Sequence, residues 1–248
     1  MSDTAGFINM EQVSVGYGSS TVVSDMSFRV RRGEIIALIG ENGSGKSTLL
    51  KSITKEIPLL GGSIRIDGRD ISRLSAHDIA RIMAIVMTGA VRTDYFTCYD
   101  TVASGRYPYT GRLGKLREED RQKIDEAMRL TGTVELADRY ITDISDGQRQ
   151  LVMLARAIAQ EPMLLILDEP TNFLDIRHKM LFANTVKELA LSKNVTVLMS
   201  IHELELVRDM ADRVIALKDG KIDSDGPVKD ILTDEYVKQL FRLGIYPR

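Results

Sequence analysis

The stretch GENGSGKST at Gly40–Thr48 sits between the apolar run IIALI at Ile35–Ile39 and the segment LLKSI at Leu49–Ile53. An unbroken apolar run of this kind reads as a buried strand, and the segment after the loop reads as the opening turn of a helix. Gly40, Gly45, Lys46 and Ser47 meet the pattern G-x-x-x-x-G-K-[ST]. Glycines at these places let the backbone curl until several N–H groups point at one anion. Lys46 is then placed to reach terminal phosphates and the Ser47 hydroxyl to hold Mg²⁺, while the positive end of the following helix favours the same negative charge. Gly40, Glu41, Asn42, Gly43, Ser44, Gly45, Lys46, Ser47 and Thr48 are therefore expected to cradle a nucleoside triphosphate.

Such a cradle needs acids for its cation and its water. Met163–Leu167, MLLIL, runs straight into Asp168-Glu169-Pro170, so two carboxylates stand where a buried strand ends, the edge at which open α/β sheets bind ligands. Successive strand residues point to opposite sides, which suits adjacent acids to different tasks. Asp168 is assigned to Mg²⁺ and Glu169 to the base that polarises a water against the γ-phosphate. His202 closes VTVLMSIH one βα unit later and is placed to contact the γ-phosphate and orient that water. His77 and His178 lie among charged neighbours and read as solvated.

A chain of 248 residues can bury a substantial core. With 33 basic and 35 acidic residues, net charge −2, it lacks the basic field of a dedicated nucleic-acid binder, and no nucleic-acid partner is expected. The lone Cys98 cannot close an intrachain disulfide, fits a reducing compartment and reads as an ordinary loop thiol. MSDTAGFINM has no basic cluster or apolar core of a secretory signal, and the apolar runs fall far short of the roughly 18 residues that cross a bilayer. A soluble, cytoplasmic chain that docks onto a membrane protein is compatible with all of this.

Short β-rich runs fill the opening third: Ile8–Val15, Thr21–Val30, Ile35–Ile39 and the segment GGSIRIDGRD. They predict an antiparallel sheet beside the phosphate-binding strand. Between Gly89 and Thr142 the character turns helical, with Ile124, Ala127 and Met128 on one face of Arg117–Leu130. Helix spacing recurs in Asp146–Gln160, followed by the strand before Asp168 and then by helix, strand, helix and strand through Leu217. That order is a parallel βαβ series. Asp219-Gly220 marks a hairpin, and short helices close the chain between Val228 and Phe241. Repeats and long linkers are absent.

One more phosphate-binding pattern lies in ISDGQRQ at Ile144–Gln150. Ser145 suits a helix N-cap, Gly147 lets backbone approach an anion, and the helix that starts there adds its dipole. Together with the cradle and the acid pair, this segment resembles the ATP-binding cassette family, whose signature is commonly written LSGGQ. The resemblance covers nearly the whole chain. It implies a P-loop α/β fold of that type, with a mainly parallel core sheet, an antiparallel β subdomain and a helical subdomain. The subdomains divide at approximately 1–88 and 161–248 for the nucleotide-binding core and 89–160 for the helical part. It implies ATP with Mg²⁺ as ligands, Tyr17 stacked on adenine, Gly40–Thr48 as Walker A and Leu165–Glu169 as Walker B. Asn172–Asp175 becomes the D-loop, with Asp175 also fit to cap the next helix, and His202 the switch histidine. Ser145, Gly147 and Gln148 become the signature that meets ATP held by a second copy. The family's glutamine after the first subdomain is missing, and Thr88 falls in its place as a shorter metal ligand.

ASGRYPYTG at Ala103–Gly111 and Asp146 in the signature look like the cassettes of iron-siderophore, haem and cobalamin importers. That likeness implies a homodimer on the cytoplasmic face of the cell membrane, polytopic permease subunits and a separate substrate-binding protein. A soluble single-cassette ATPase serving an assembly complex, for example for iron–sulfur clusters, is the alternative. A P-loop kinase leaves ISDGQ unexplained.

Overall fold

The computed structural model describes residues 6–18, 20–87, 95–111 and 114–241. The central sheet contains β3 (Ile35–Ile39), β6 (Met83–Met87), β7 (Leu164–Asp168), β8 (Thr196–Ser200), β9 (Arg213–Lys218) and β10 (Lys221–Pro227), in the order β10-β9-β3-β8-β7-β6. All neighbours pair in parallel except β9 and β10, which form the hairpin turned by Asp219-Gly220. A second, antiparallel sheet contains β1 (Ile8–Tyr17), β2 (Ser20–Val30), β4 (Leu59–Ile66) and β5 (Arg69–Asp70), in the order β2-β1-β4-β5. The helices are α1 (Lys46–Ile53), α2 (Ala76–Ile82), α3 (Cys98–Ala103), α4 (Glu118–Leu130), α5 (Asp146–Ala159), α6 (Ile176–Lys193), α7 (Leu204–Met210), α8 (Val228–Ile231) and α9 (Asp234–Leu240).

The unbroken apolar strands belong to a sheet covered on both faces, and their two-residue period divides the interior. Ile35, Ala37 and Ile39 of β3 join Leu165, Leu167, Val197 and Met199 in one core with Ile124 and Met128 of α4, Leu151 and Leu154 of α5 and Phe182 of α6. Ile36 and Leu38 face the other way, with Leu164, Ile166 and Leu198, onto Leu49 and Ile53 of α1 and the inner side chains of β1, β2 and β4. The central sheet is thus the middle layer, between the antiparallel sheet with α1 and the helices.

Between α3 and α5 a buried ionic cluster ties the layers together. Arg106, 3% exposed, donates through Nε to Asp120 Oδ1 and through Nη1 to Ala159 O and Glu161 Oε2, at 2.7 to 2.9 Å. Tyr109 stacks its ring 4.2 Å from the Arg106 guanidinium and donates its hydroxyl to Gln160 O. The side-chain amide of Gln160 then donates to Ala80 O and Met83 O, joining the end of α5 to α2 and β6. Within the stretch Ala103–Gly111, Tyr109 is thus built into this junction, while Tyr107 stays exposed.

Two expectations change. Cys98 is no loop thiol but the fully buried first residue of α3, started by a Thr97–Asp100 capping box, and burial pushes its thiol pKa up. His178 is not simply solvated, because in the first turn of α6 its Nδ1 lies 2.9 Å from Asp175 Oδ1.

Removing Arg106 leaves Asp120 buried without its cation. Arg106→Ala is expected to lower unfolding free energy by roughly 3 to 5 kcal/mol in urea titration, and a loss below the error of the titration would contradict the structural role of this cluster.

Candidate functional site

The cradle begins where β3 ends. Gly40 takes φ 147° and Gly45 takes φ 101°, and a Cβ at either position would collide with Leu217 O at 2.2 Å or Val23 Cγ2 at 2.8 Å. Glycine is needed at both for conformation and for space. Gly45 is the N-cap of α1 and supplies no side chain to its free N–H groups. Lys46, the first residue of α1 and 5% exposed, folds back so that Nζ donates to Gly40 O at 2.8 Å and Glu41 O at 3.0 Å. Burial pushes its pKa down, against the opposing fields of Glu169 and Asp168. Within the loop, the buried Ser44 Oγ has no hydrogen-bond partner among the described residues. Uncapped helix N–H groups, an orphan hydroxyl and a buried ammonium converge, and a polyphosphate satisfies all three.

The acids enter from β7, separated from β3 by β8. Asp168 is the last residue of β7, and its Oδ1 accepts the Ser47 hydroxyl at 2.9 Å and the Ser200 hydroxyl at 2.5 Å. A serine that donates its proton to a carboxylate leaves its lone pairs for a cation. Among the described residues no cluster of three His, Cys, Asp or Glu side chains stands ready to hold a metal alone. A hydroxyl and one carboxylate beside a phosphate cradle nonetheless fit Mg²⁺, which keeps waters and shares the phosphates.

Glu169 corrects the reasoning that alternate strand positions point the acids apart. It takes φ 49° and has left the strand, and both acids act on Lys46. Its carboxylate is held by His202 Nε2, 2.9 Å from Oε1, and by Asn172 Nδ2, which donates to Oε2 at 2.6 Å. Burial pushes this carboxyl up, but hydrogen bonds from His202 and Asn172, with the charges of His202 and Lys46, outweigh burial and hold it below the usual glutamate value. The contact from Asn172 was not foreseen, since the sequence placed it only in the loop that follows.

The remaining residues sit around this shelf. Tyr17, 55% exposed, ends β1, in the hairpin whose Val22 and Val23 abut Gly45. Ser145 caps α5, accepting from Gln148 N while Gln148 Oε1 accepts from Ser145 N. Those polar groups bond to one another, and among the described residues neither bond reaches the cradle. Gly147 packs against the segment after Glu169, with a Cβ position 3.2 Å from Phe173 O. Asp175 caps α6. Thr88 lies outside the described residues. A hollow of about 340 Å³ lined by Arg32, Met163 and Lys193 lies at the start of β7, the opposite edge of the sheet from the acids.

Strand, glycine-rich loop, buried lysine and paired acids at the carboxyl edge of the sheet define a P-loop nucleotide site with a capped helix of the signature type beside it. Residues 23–172 match the family model described as ABC transporter, and the chain belongs to that family. It is an ATP-binding cassette that hydrolyses ATP. Among known proteins it is 36% identical to the iron(3+)-hydroxamate import ATP-binding protein of Bacillus subtilis, over 95% of this chain and 88% of that one. It is 33% identical to the ferric enterobactin transport ATP-binding protein of Escherichia coli, over 98% and 90%. One similar solved structure, a part of the ABC transporter complex cbiONQ from Clostridium perfringens, superposes with a TM-score of 0.82 at 26% identity, over 97% of this chain and 96% of that one.

Gly45→Ala forces a Cβ against Val23 at a left-handed φ. Backbone strain of this kind should weaken ATP binding by roughly tenfold or more in isothermal titration, whereas wild-type affinity in this variant contradicts the fit of the loop.

Proposed function

We propose that the chain is the ATP-hydrolysing subunit of an importer, acting as a pair of copies on the cytoplasmic face of a membrane. The partners are polytopic permease subunits fed by a separate substrate-binding protein, and the cargo is an iron-siderophore, haem or cobalamin. The observation that carries this reading is the near full-length likeness to subunits named for iron(3+)-hydroxamate and ferric enterobactin import. No helix among the described residues is long and apolar enough to cross a membrane, so passage of cargo belongs to other subunits.

Two features of the chain support pairing. The cradle at Lys46 and the capped N-terminus at Ser145 each suit a phosphate, yet among the described residues the bonds of Lys46, Ser145 and Gln148 stay within their own segments. Beside Glu169, Phe173, Ile176 and Met180 lie exposed on one side of the segment that opens α6, an apolar stripe suited to a second copy. ATP clasped between the Gly40–Thr48 loop of one copy and Ser145, Gly147 and Gln148 of the other draws the pair together.

In the closed pair Tyr17 stacks on the adenine. Lys46 and the N–H groups of the loop neutralise charge developing on the phosphates. Mg²⁺, when bound by Ser47 and Asp168, supplies charge neutralisation and phosphate alignment. Glu169 accepts the proton of the water whose oxygen attacks the γ-phosphorus, and the bond to the bridging oxygen breaks as ADP takes up its electrons. His202 holds Glu169 in place and faces the same phosphate. Loss of phosphate removes the clasp, and the copies separate and move the permease.

A strain lacking the protein, supplied with the wild-type chain or with Glu169→Gln, tests the reading. The wild-type chain should restore uptake of one among a ferric siderophore, haem and cobalamin. The Glu169→Gln chain should restore none, and when purified should turn over ATP about 100-fold or more slowly while forming ATP-dependent dimers in light scattering. Restored uptake or unchanged turnover in that variant rejects the role of Glu169.

A further inference from the structure

Ser200 belongs to none of the motifs read from the sequence, yet it touches both acids. It is fully buried at the end of β8, directly paired with Asp168 of β7 and with Leu38 of β3. Its Oγ donates to Asp168 Oδ1 at 2.5 Å and accepts the Glu169 N–H at 3.0 Å, while its carbonyl lies 3.1 Å from the same N–H.

We propose that Ser200 is a positioning residue for ATP hydrolysis, one buried hydroxyl that fixes the carboxylate of Asp168 and the backbone of Glu169 relative to each other. This rests on the reading of Asp168 as the cation's acid and Glu169 as the base. A hydroxyl has one proton to give and two lone pairs to receive. At Ser200 the proton goes to an anion and a lone pair takes the neighbouring N–H, so each bond strengthens the other. Asp168 Oδ1 is thereby held by Ser47 and Ser200 together, which fixes the rotation of the carboxylate that faces the cation. The N–H held by Ser200 belongs to a residue at φ 49°, a conformation that a side-chain-bearing residue keeps only when its surroundings enforce it. That turn aims the Glu169 side chain at His202 and Asn172.

None of the hydrogen bonds of Ser200 reaches the loop that holds Lys46, whose partners are Gly40 O and Glu41 O. Loss of the hydroxyl therefore disturbs first the cation's carboxylate and the base, while Ser47 of the cradle reaches Ser200 only through Asp168 Oδ1 and the bonds of Lys46 are left in place.

The test uses the full chain, with ATPase kinetics and isothermal titration of ATP both in EDTA and over a range of Mg²⁺ concentrations. Ser200→Ala should lower kcat by roughly ten- to a hundredfold and raise the Mg²⁺ concentration needed for half-maximal ATP binding by a similar factor. ATP affinity in EDTA, and KM at saturating Mg²⁺, should stay at the wild-type values. Ser200→Thr keeps the hydroxyl on a β-branched residue suited to a central strand and should recover most of the loss. Wild-type kcat and Mg²⁺ dependence in Ser200→Ala overturn the proposal, as does Ser200→Thr being no better than Ser200→Ala. If either variant fails to bind ATP in EDTA, Ser200→Cys replaces it: its weaker S–H donor should give a kcat below wild type, and full turnover overturns the proposal. Glu169→Gln in parallel separates the two levels. A slow Glu169→Gln beside a fast Ser200→Ala removes only the role of Ser200, whereas a fast Glu169→Gln removes the reading on which it rests.

Discussion

The buried ammonium of Lys46 is the constraint on which the site depends. A cation with 5% of its surface exposed is unfavourable unless fixed dipoles and opposite charges surround it. Two carbonyls of its own loop provide the dipoles, and Asp168 and Glu169 provide the charge from another strand. The loop carbonyls turn inward only because Gly40 and Gly45 reach conformations and spaces closed to other residues. The acids arrive only because β7 lies one strand beyond β8 in a parallel sheet. An apolar strand with side chains alternating between two cores holds that spacing, so the chemistry of the edge rests on the packing of the middle layer.

The helix that carries ISDGQ is anchored at both ends to the body that holds the acids. At its start, Gly147 packs on the backbone at Phe173, three residues beyond Pro170 in the segment that also supplies Asn172 to Glu169. At its end, Arg106 holds Ala159 O, and Gln160 bridges to Ala80 and Met83. Close backbone packing at one end of this amphipathic helix and polar contacts at the other give α5 a defined position relative to the catalytic edge.

Features local in sequence were legible before the structure. The apolar runs of β3, β7 and β8, the glycine-lysine loop, the Asp168-Glu169 pair and the cap at Ser145 each need only a few neighbouring residues to be recognised. What depends on register was not. Ser200 becomes visible only when β8 is laid against β7 so that position 200 faces position 168; a hydroxyl two residues before His202 was the one available signal. Both acids were assigned to the cradle, but the strand alternation used to separate their tasks was carried one residue too far, past the point where the backbone turns left-handed. Cys98 was misread because its Thr-x-x-Asp capping box was overlooked, and the junction at Tyr109 stayed hidden because Arg106 is charged and gave no sign of being buried.

The central claim is that the cradle is half of a site completed by the signature helix of a second copy. Mixing purified Lys46→Ala chains with Ser145→Arg chains tests it most directly. Each variant spoils both sites of its own pair, but a mixed pair keeps one intact cradle facing one intact signature. Complementary half-sites predict ATP hydrolysis in the mixture that neither variant shows alone, and a mixture as inactive as its components contradicts them.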